Sequence, residues 1–178
     1  MFVFGKKKFF NEMYCEVFKK AMLAVDDTNN ILTYYGAKTN VEENKMKFVL
    51  STYLFNLYFI EGPLQKKYWS NYNKEVNQII DAMIVEIANR TGYTTEQSLS
   101  VYSTIRNNLQ EAVLNDEKLK DVNPLFVAAI YYLQFTFKDT YEPEKLGYHS
   151  GEVETAIAKV FENTMKETIL YLDSKQEI

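Results

Sequence analysis

Apolar and polar positions recur along this chain with a helical period, and twice that period gives way to an almost unbroken apolar run. The first run, Phe48–Ile60, reads FVLSTYLFNLYFI, with only Ser51, Thr52 and Asn56 polar. A helix that is apolar on all sides must be buried, in a core or in a bilayer. A helix of thirteen residues covers roughly 20 Å, short of the roughly 30 Å of hydrocarbon in a bilayer, so the core is the better home. Thr39 and Glu42 have the T-x-x-E spacing of a capping box, and Gly62–Pro63 is a stop signal. These flanks predict a helix over about 40–61, too long for one typical strand. Asn56 lies mid-helix among aromatics and needs a partner for its amide; a tyrosine hydroxyl on a neighbouring helix is the expected one.

The remaining segments read as helices wrapped around this one. Phe10, Met13, Tyr14, Val17, Phe18, Ala21 and Val25 form one stripe and predict a helix over about 9–25. Asp26–Asn30 weakens it, and the pattern over 26–36 fits a break or a continuation equally. After Gly62–Pro63 a helix over about 64–89 is expected, with Trp69, Tyr72, Val76, Ile79, Ile80, Met83, Ile84 and Ile87 inward, folded back as an antiparallel hairpin on the helix before it. Gly92 ends it. Thr94 or Thr95 with Gln97 starts the next helix, with Leu99, Tyr102, Ile105, Leu109 and Val113 on one face. Asn123–Pro124 is an N-cap with proline at the first helical position, and opens the second apolar run, Leu125–Phe135. The segment 139–150 reads as a loop. The last helix is expected over about Gly151–Leu172, with Val153, Ile157, Val160, Phe161, Thr164, Thr168 and Leu172 facing in. The pattern predicts an all-α, single-domain bundle of about six helices around two apolar central helices, about 40–61 and 124–138. Residues 1–8 read as a short leader, 9–174 as the domain and 175–178 as a frayed tail.

Composition narrows the chemistry. A net charge of −4 and only two arginines, Arg90 and Arg106, argue against nucleic-acid binding, although KKYWSNYNK at 66–74 interleaves lysines with aromatics. A single cysteine, Cys15, excludes an intrachain disulfide and a thiolate zinc site, and suits the cytoplasm. The segment MFVFGKKKFF puts its apolar residues before its lysines, the reverse of an export signal. No helical run is both long and uncharged enough to span a membrane.

No catalytic constellation assembles. Nothing places the one histidine, His149, beside Cys15, and Leu146 stands where a di-iron helix would carry glutamate. Glycine-rich phosphate loops are absent. Acid pairs such as Glu42/Glu43 and Glu152/Glu154 read as charges at helix starts, not as metal ligands. The expectation is therefore no enzyme, no metal and no cofactor. Two functions remain. The first is a module that binds another protein, as an inhibitor or immunity-type protein does, with a homodimer through an exposed helix face also open. The second is a pocket for a small apolar ligand between the two apolar helices, with Tyr53, Asn56, Tyr58, Tyr131 and Tyr132 as its lining or simply as core.

Overall fold

The computed structural model describes residues 2–34, 41–115, 122–137 and 150–175. Over these the chain forms five helices and no strand: α1 Phe2–Tyr34, α2 Val41–Thr91, α3 Thr95–Asn115, α4 Pro124–Thr136 and α5 Ser150–Asp173. Thr39, His149 and the 139–149 segment lie outside the described residues, as do the side chains of Trp69 and Val113.

The first half of α2 is the hub. Leu54, Phe55, Leu57 and Ile60 are fully buried, and the polar Ser51, Thr52 and Asn56 are buried with them. α1 meets this half through Phe18, stacked on Tyr53 at 6.0 Å. α4 reaches it through Tyr132, edge-on to Phe55 at 5.1 Å, and α5 through Phe161, stacked on Phe59 at 4.7 Å. Such ring pairs contribute about 0.5–1.5 kcal/mol each beyond the area they bury. α4 buries one side and leaves Leu125, Phe126, Ile130, Tyr131 and Phe135 half-covered.

Gly62–Pro63 does not end a helix, contrary to the expected turn there. α2 runs through Pro63, and its first arm follows α5 from the Asn56–Thr164 contact to the Lys67–Asp173 ion pair. The lost N–H of Pro63 is tolerated because Ile60, Leu64 and Tyr68, on both sides of it, are buried. Gly62 helps for a separate reason. A residue before proline is driven out of the helical region by a clash with its Cβ, and glycine has none.

The arms of α2 nevertheless lie against each other, as the hairpin expectation requires. Phe18 touches both Tyr53 and, at 5.2 Å, the Arg90 guanidinium. In a straight helix those two residues would be roughly 55 Å apart. The first arm still follows α5 at Lys67 and the second has returned to Phe18 by Arg90, so the reversal falls between them. The turn is displaced by at least one helical turn from the Gly-Pro signal.

Three other boundaries are informative. α1 begins at Phe2 and continues through 26–34, so the helix does not break at Asp26–Asn30. Thr28 and Thr33 donate to the Ala24 and Asn29 carbonyls at 2.7 and 2.8 Å, so these hydroxyls decorate the helix instead of competing with it. Gly92, at φ 72°, terminates α2, and the Thr94–Gln97 capping box closes reciprocally at 2.9 and 3.1 Å. The buried face of α3 runs through Ser98, Tyr102, Ile105 and Leu109, and Leu99, expected inside, is 40 % exposed. On α5 all seven expected inward residues are buried.

Candidate functional site

Two polar clusters interrupt the apolar hub, five residues apart on α2. The first closes on itself. The Asn56 amide donates to the Thr52 carbonyl at 2.8 Å, and its oxygen accepts from the Thr164 hydroxyl at 3.0 Å. The Thr52 hydroxyl spends its one proton on the Phe48 carbonyl at 2.8 Å. Tyr132, 2.7 Å away, is therefore the donor to Thr52. Asn56 thus finds threonine and backbone partners where a tyrosine hydroxyl was expected. Every member is buried, and burial holds the Tyr132 phenol well above its usual pKa.

The second cluster opens outward. Leu50, Leu54, Leu57, Glu61, Leu64 and Tyr68 share one face of α2, and all are buried. Glu61 stands where the spacing calls for another leucine. One of its oxygens accepts from the Tyr102 hydroxyl. The other accepts from the Gln65 amide and lies 3.5 Å from the Arg106 guanidinium. Tyr102 and Arg106 are one turn apart on α3, so both fall on the face that meets Glu61. Burial, then the charge and hydrogen bond of Glu61, push the Tyr102 phenol far above its usual range. It keeps its proton and acts only as a donor to the carboxylate. Tyr58 is raised too, by burial first and the Glu61 charge second.

Above this cluster lies a cleft of about 450 Å³. All four of α2, α3, α4 and α5 contribute: Tyr58, Phe59 and Pro63, then Arg106 and Gln110, then Leu125, then Met165. Because Pro63 has no N–H, the Phe59 carbonyl lacks its usual helical donor at this wall. Mostly apolar walls with a few convergent polar groups, at this volume, are the ordinary character of a ligand site. The partners differ in access: the Glu61 side chain is 8 % exposed and that of Arg106 42 %.

The residues weighed from sequence separate in the fold. Tyr53, Asn56 and Tyr132 are core. Tyr131 is half-buried and accepts from the Asn108 amide. Tyr58 alone of the five lines the cleft. Sequence reasoning does not single out Glu61 and Arg106, although the leucine spacing around Glu61 marks it as a carboxylate on a buried face. Cys15 is exposed, in a second groove of about 570 Å³ with Lys8, Glu12, Glu16 and Tyr171. Among the described residues no three His, Cys, Asp or Glu side chains gather as a metal site, and no helix is long and apolar enough to cross a membrane.

No protein-family model, curated protein or solved structure matches this chain.

Proposed function

We propose that this is a binding protein without catalytic chemistry, and that it binds at the cleft beside Pro63. The observation that supports this is Glu61. A buried carboxylate costs desolvation that a leucine would avoid, and replacing buried ion pairs with apolar residues is often neutral or stabilising. In this chain the carboxylate holds a half-exposed guanidinium at the rim of an apolar cleft, at a proline that also weakens the central helix. Both departures from an ideal bundle meet at one place, where a working surface would account for them.

The cleft's volume suits a small molecule. On this proposal the pocket is the Pro63 cleft and not the space between the two apolar helices. The test is an amide-resolved NMR titration of the whole chain with small amphipathic compounds. Expected are shifts at Phe59, Arg106 and Leu125, lost when the exposed Gln110 is changed to tryptophan to fill the mouth. Compounds that shift only residues elsewhere would overturn the assignment.

A protein partner, with the chain as an inhibitor of the immunity type, is the second reading. Leu23 on α1 and Leu170 on α5 favour it, at 52 % and 70 % exposed on two helices that pack together. A partner recovered from native cells should be lost with Leu23→Lys and Leu170→Lys and kept with Gln110→Trp. The reverse pattern would move the interface to the cleft.

A further inference from the structure

The way the Glu61 cluster is connected says which chemistry the cleft can read. The carboxylate is already engaged: one oxygen holds the Tyr102 hydroxyl, the other the Gln65 amide and the Arg106 guanidinium. It is almost wholly buried, so it offers little to an incoming donor. Arg106 is in the opposite state. Its contact with Glu61 is 3.5 Å, longer than a good charge-assisted hydrogen bond, and 42 % of its side chain is exposed. A guanidinium carries five N–H donors, and Nη2 is the nitrogen that lies within 4 Å of Glu61. Gln110, one turn further along α3, adds an exposed amide on the same wall. What the cleft presents to a ligand is therefore a half-exposed cationic donor over an apolar floor.

We propose, resting on the binding function above, that the cleft takes a small amphipathic carboxylate. Its apolar body lies against Phe59, Pro63, Leu125 and Met165, and its head group sits on the open side of Arg106. Glu61 is a positioning residue in this arrangement. It fixes the guanidinium from behind, as Tyr102 and Gln65 fix Glu61. An arginine held between two carboxylates keeps the planar fork that bidentate recognition needs, which a lysine cannot supply. An amine head is disfavoured because it would meet the guanidinium first, and Glu61, the one carboxylate among the described lining residues, is already occupied.

The experiment compares three ligands that share one body: octanoate, octanamide and octylamine, at neutral pH and below their aggregation concentrations. Each is titrated by NMR or calorimetry into the intact protein and into Arg106→Gln, Arg106→Lys and Gln110→Trp. Circular dichroism and melting confirm that each variant is folded. Octanoate should bind about tenfold more tightly than octanamide, and octylamine most weakly. Arg106→Gln should bring octanoate down to the level of octanamide while leaving octanamide unchanged, and Arg106→Lys should restore only part of the difference. Gln110→Trp should weaken all three. Equal binding of acid and amide, an acid preference that survives Arg106→Gln, or tightest binding by the amine overturns the carboxylate proposal. If Gln110→Trp still weakens binding in those cases, the cleft stands as a binding site. If none of the three binds, or if Gln110→Trp has no effect, the site and the proposal fall together.

Discussion

The Asn56 and Glu61 clusters occupy the same helix, five residues apart, and do opposite things with polar groups in an apolar setting. Around Asn56 the groups are neutral, wholly buried and paired in a closed set that ties α2 to α4 and α5. Around Glu61 they are charged, and the last member, Arg106, reaches out of the core into a cleft. A closed neutral network fixes how helices pack and leaves nothing over for a ligand. An open charged one is poorer as structure and better as a surface. Burial alone would not separate them, since Asn56 and Glu61 are both below a tenth exposed. What separates them is where the hydrogen bonds lead.

The strongest test of the closed cluster is Asn56→Ala. It removes the acceptor of the buried Thr164 hydroxyl and opens a small cavity, so unfolding free energy should fall by roughly 3 kcal/mol in urea or thermal denaturation. Octanoate affinity at the cleft should not change in the folded fraction. A loss below about 1 kcal/mol would mean that the network is not specifying the packing. Pro63→Ala tests the open cluster and should move the other way. It restores the helical hydrogen bond to the Phe59 carbonyl and should raise stability by about 2 kcal/mol, within the roughly 3 kcal/mol that an interior proline costs. The same change should weaken cleft binding, because Pro63 forms part of its wall. Stability gained with affinity unchanged would mean that the proline in the hub does not serve the cleft.

Much of the architecture was legible because burial follows periodicity. The inward set of α5 and the apolar run in α2 are read directly from spacing, and the Asn123–Pro124 start is seen in the Asn123 side chain accepting from the Leu125 amide at 2.9 Å. Signals that act within one turn also transferred well, as Gly92 and the Thr94–Gln97 box show. Gly62–Pro63 misled because its local preference for a turn competes with burial on both sides, and burial won. On α3, Ser98 and Leu99 both fit the spacing of Tyr102 and Ile105, and only the position of α2 decides between them. The site was illegible for a related reason. Glu61 meets Tyr102 and Arg106 only because α2 reverses and brings α3 alongside, a contact across about forty residues that no local pattern encodes.

Alkali should distinguish the clusters through their tyrosines. Tyr102 and Tyr132 each donate to α2, and both phenols are raised above 10, so the fold keeps protons that the unfolded chain releases. Their contribution is complete below about pH 10 and falls as pH rises toward the folded values. At pH 11 each should cost about 1.4 kcal/mol relative to neutral pH. Tyr132→Phe and Tyr102→Phe should each flatten the fall of urea midpoint between pH 9 and 11. Glu61→Gln should lower the Tyr102 pKa in the fold and leave Tyr132 unmoved, because only Tyr102 faces a carboxylate. A midpoint independent of pH in this window would show that neither hydroxyl is held as described.

Gly62 gives the smallest effect and the sharpest check on why the central helix survives its proline. Nothing lies within 4 Å of where a Cβ at Gly62 would sit, neighbouring residues apart, so added bulk meets no other part of the fold. In an ordinary exposed helical position glycine to alanine gains about 0.5–1 kcal/mol. Before proline that gain should vanish or reverse, because the new Cβ meets the proline ring in helical geometry. Gly62→Ala should therefore be neutral or destabilising in the native chain and stabilising by about 0.5–1 kcal/mol once Pro63 is alanine. Such a cycle, measured by urea denaturation, has a coupling of roughly 1 kcal/mol assigned to one steric contact. Equal gains in both backgrounds would mean that α2 passes Pro63 by some means other than the missing side chain before it.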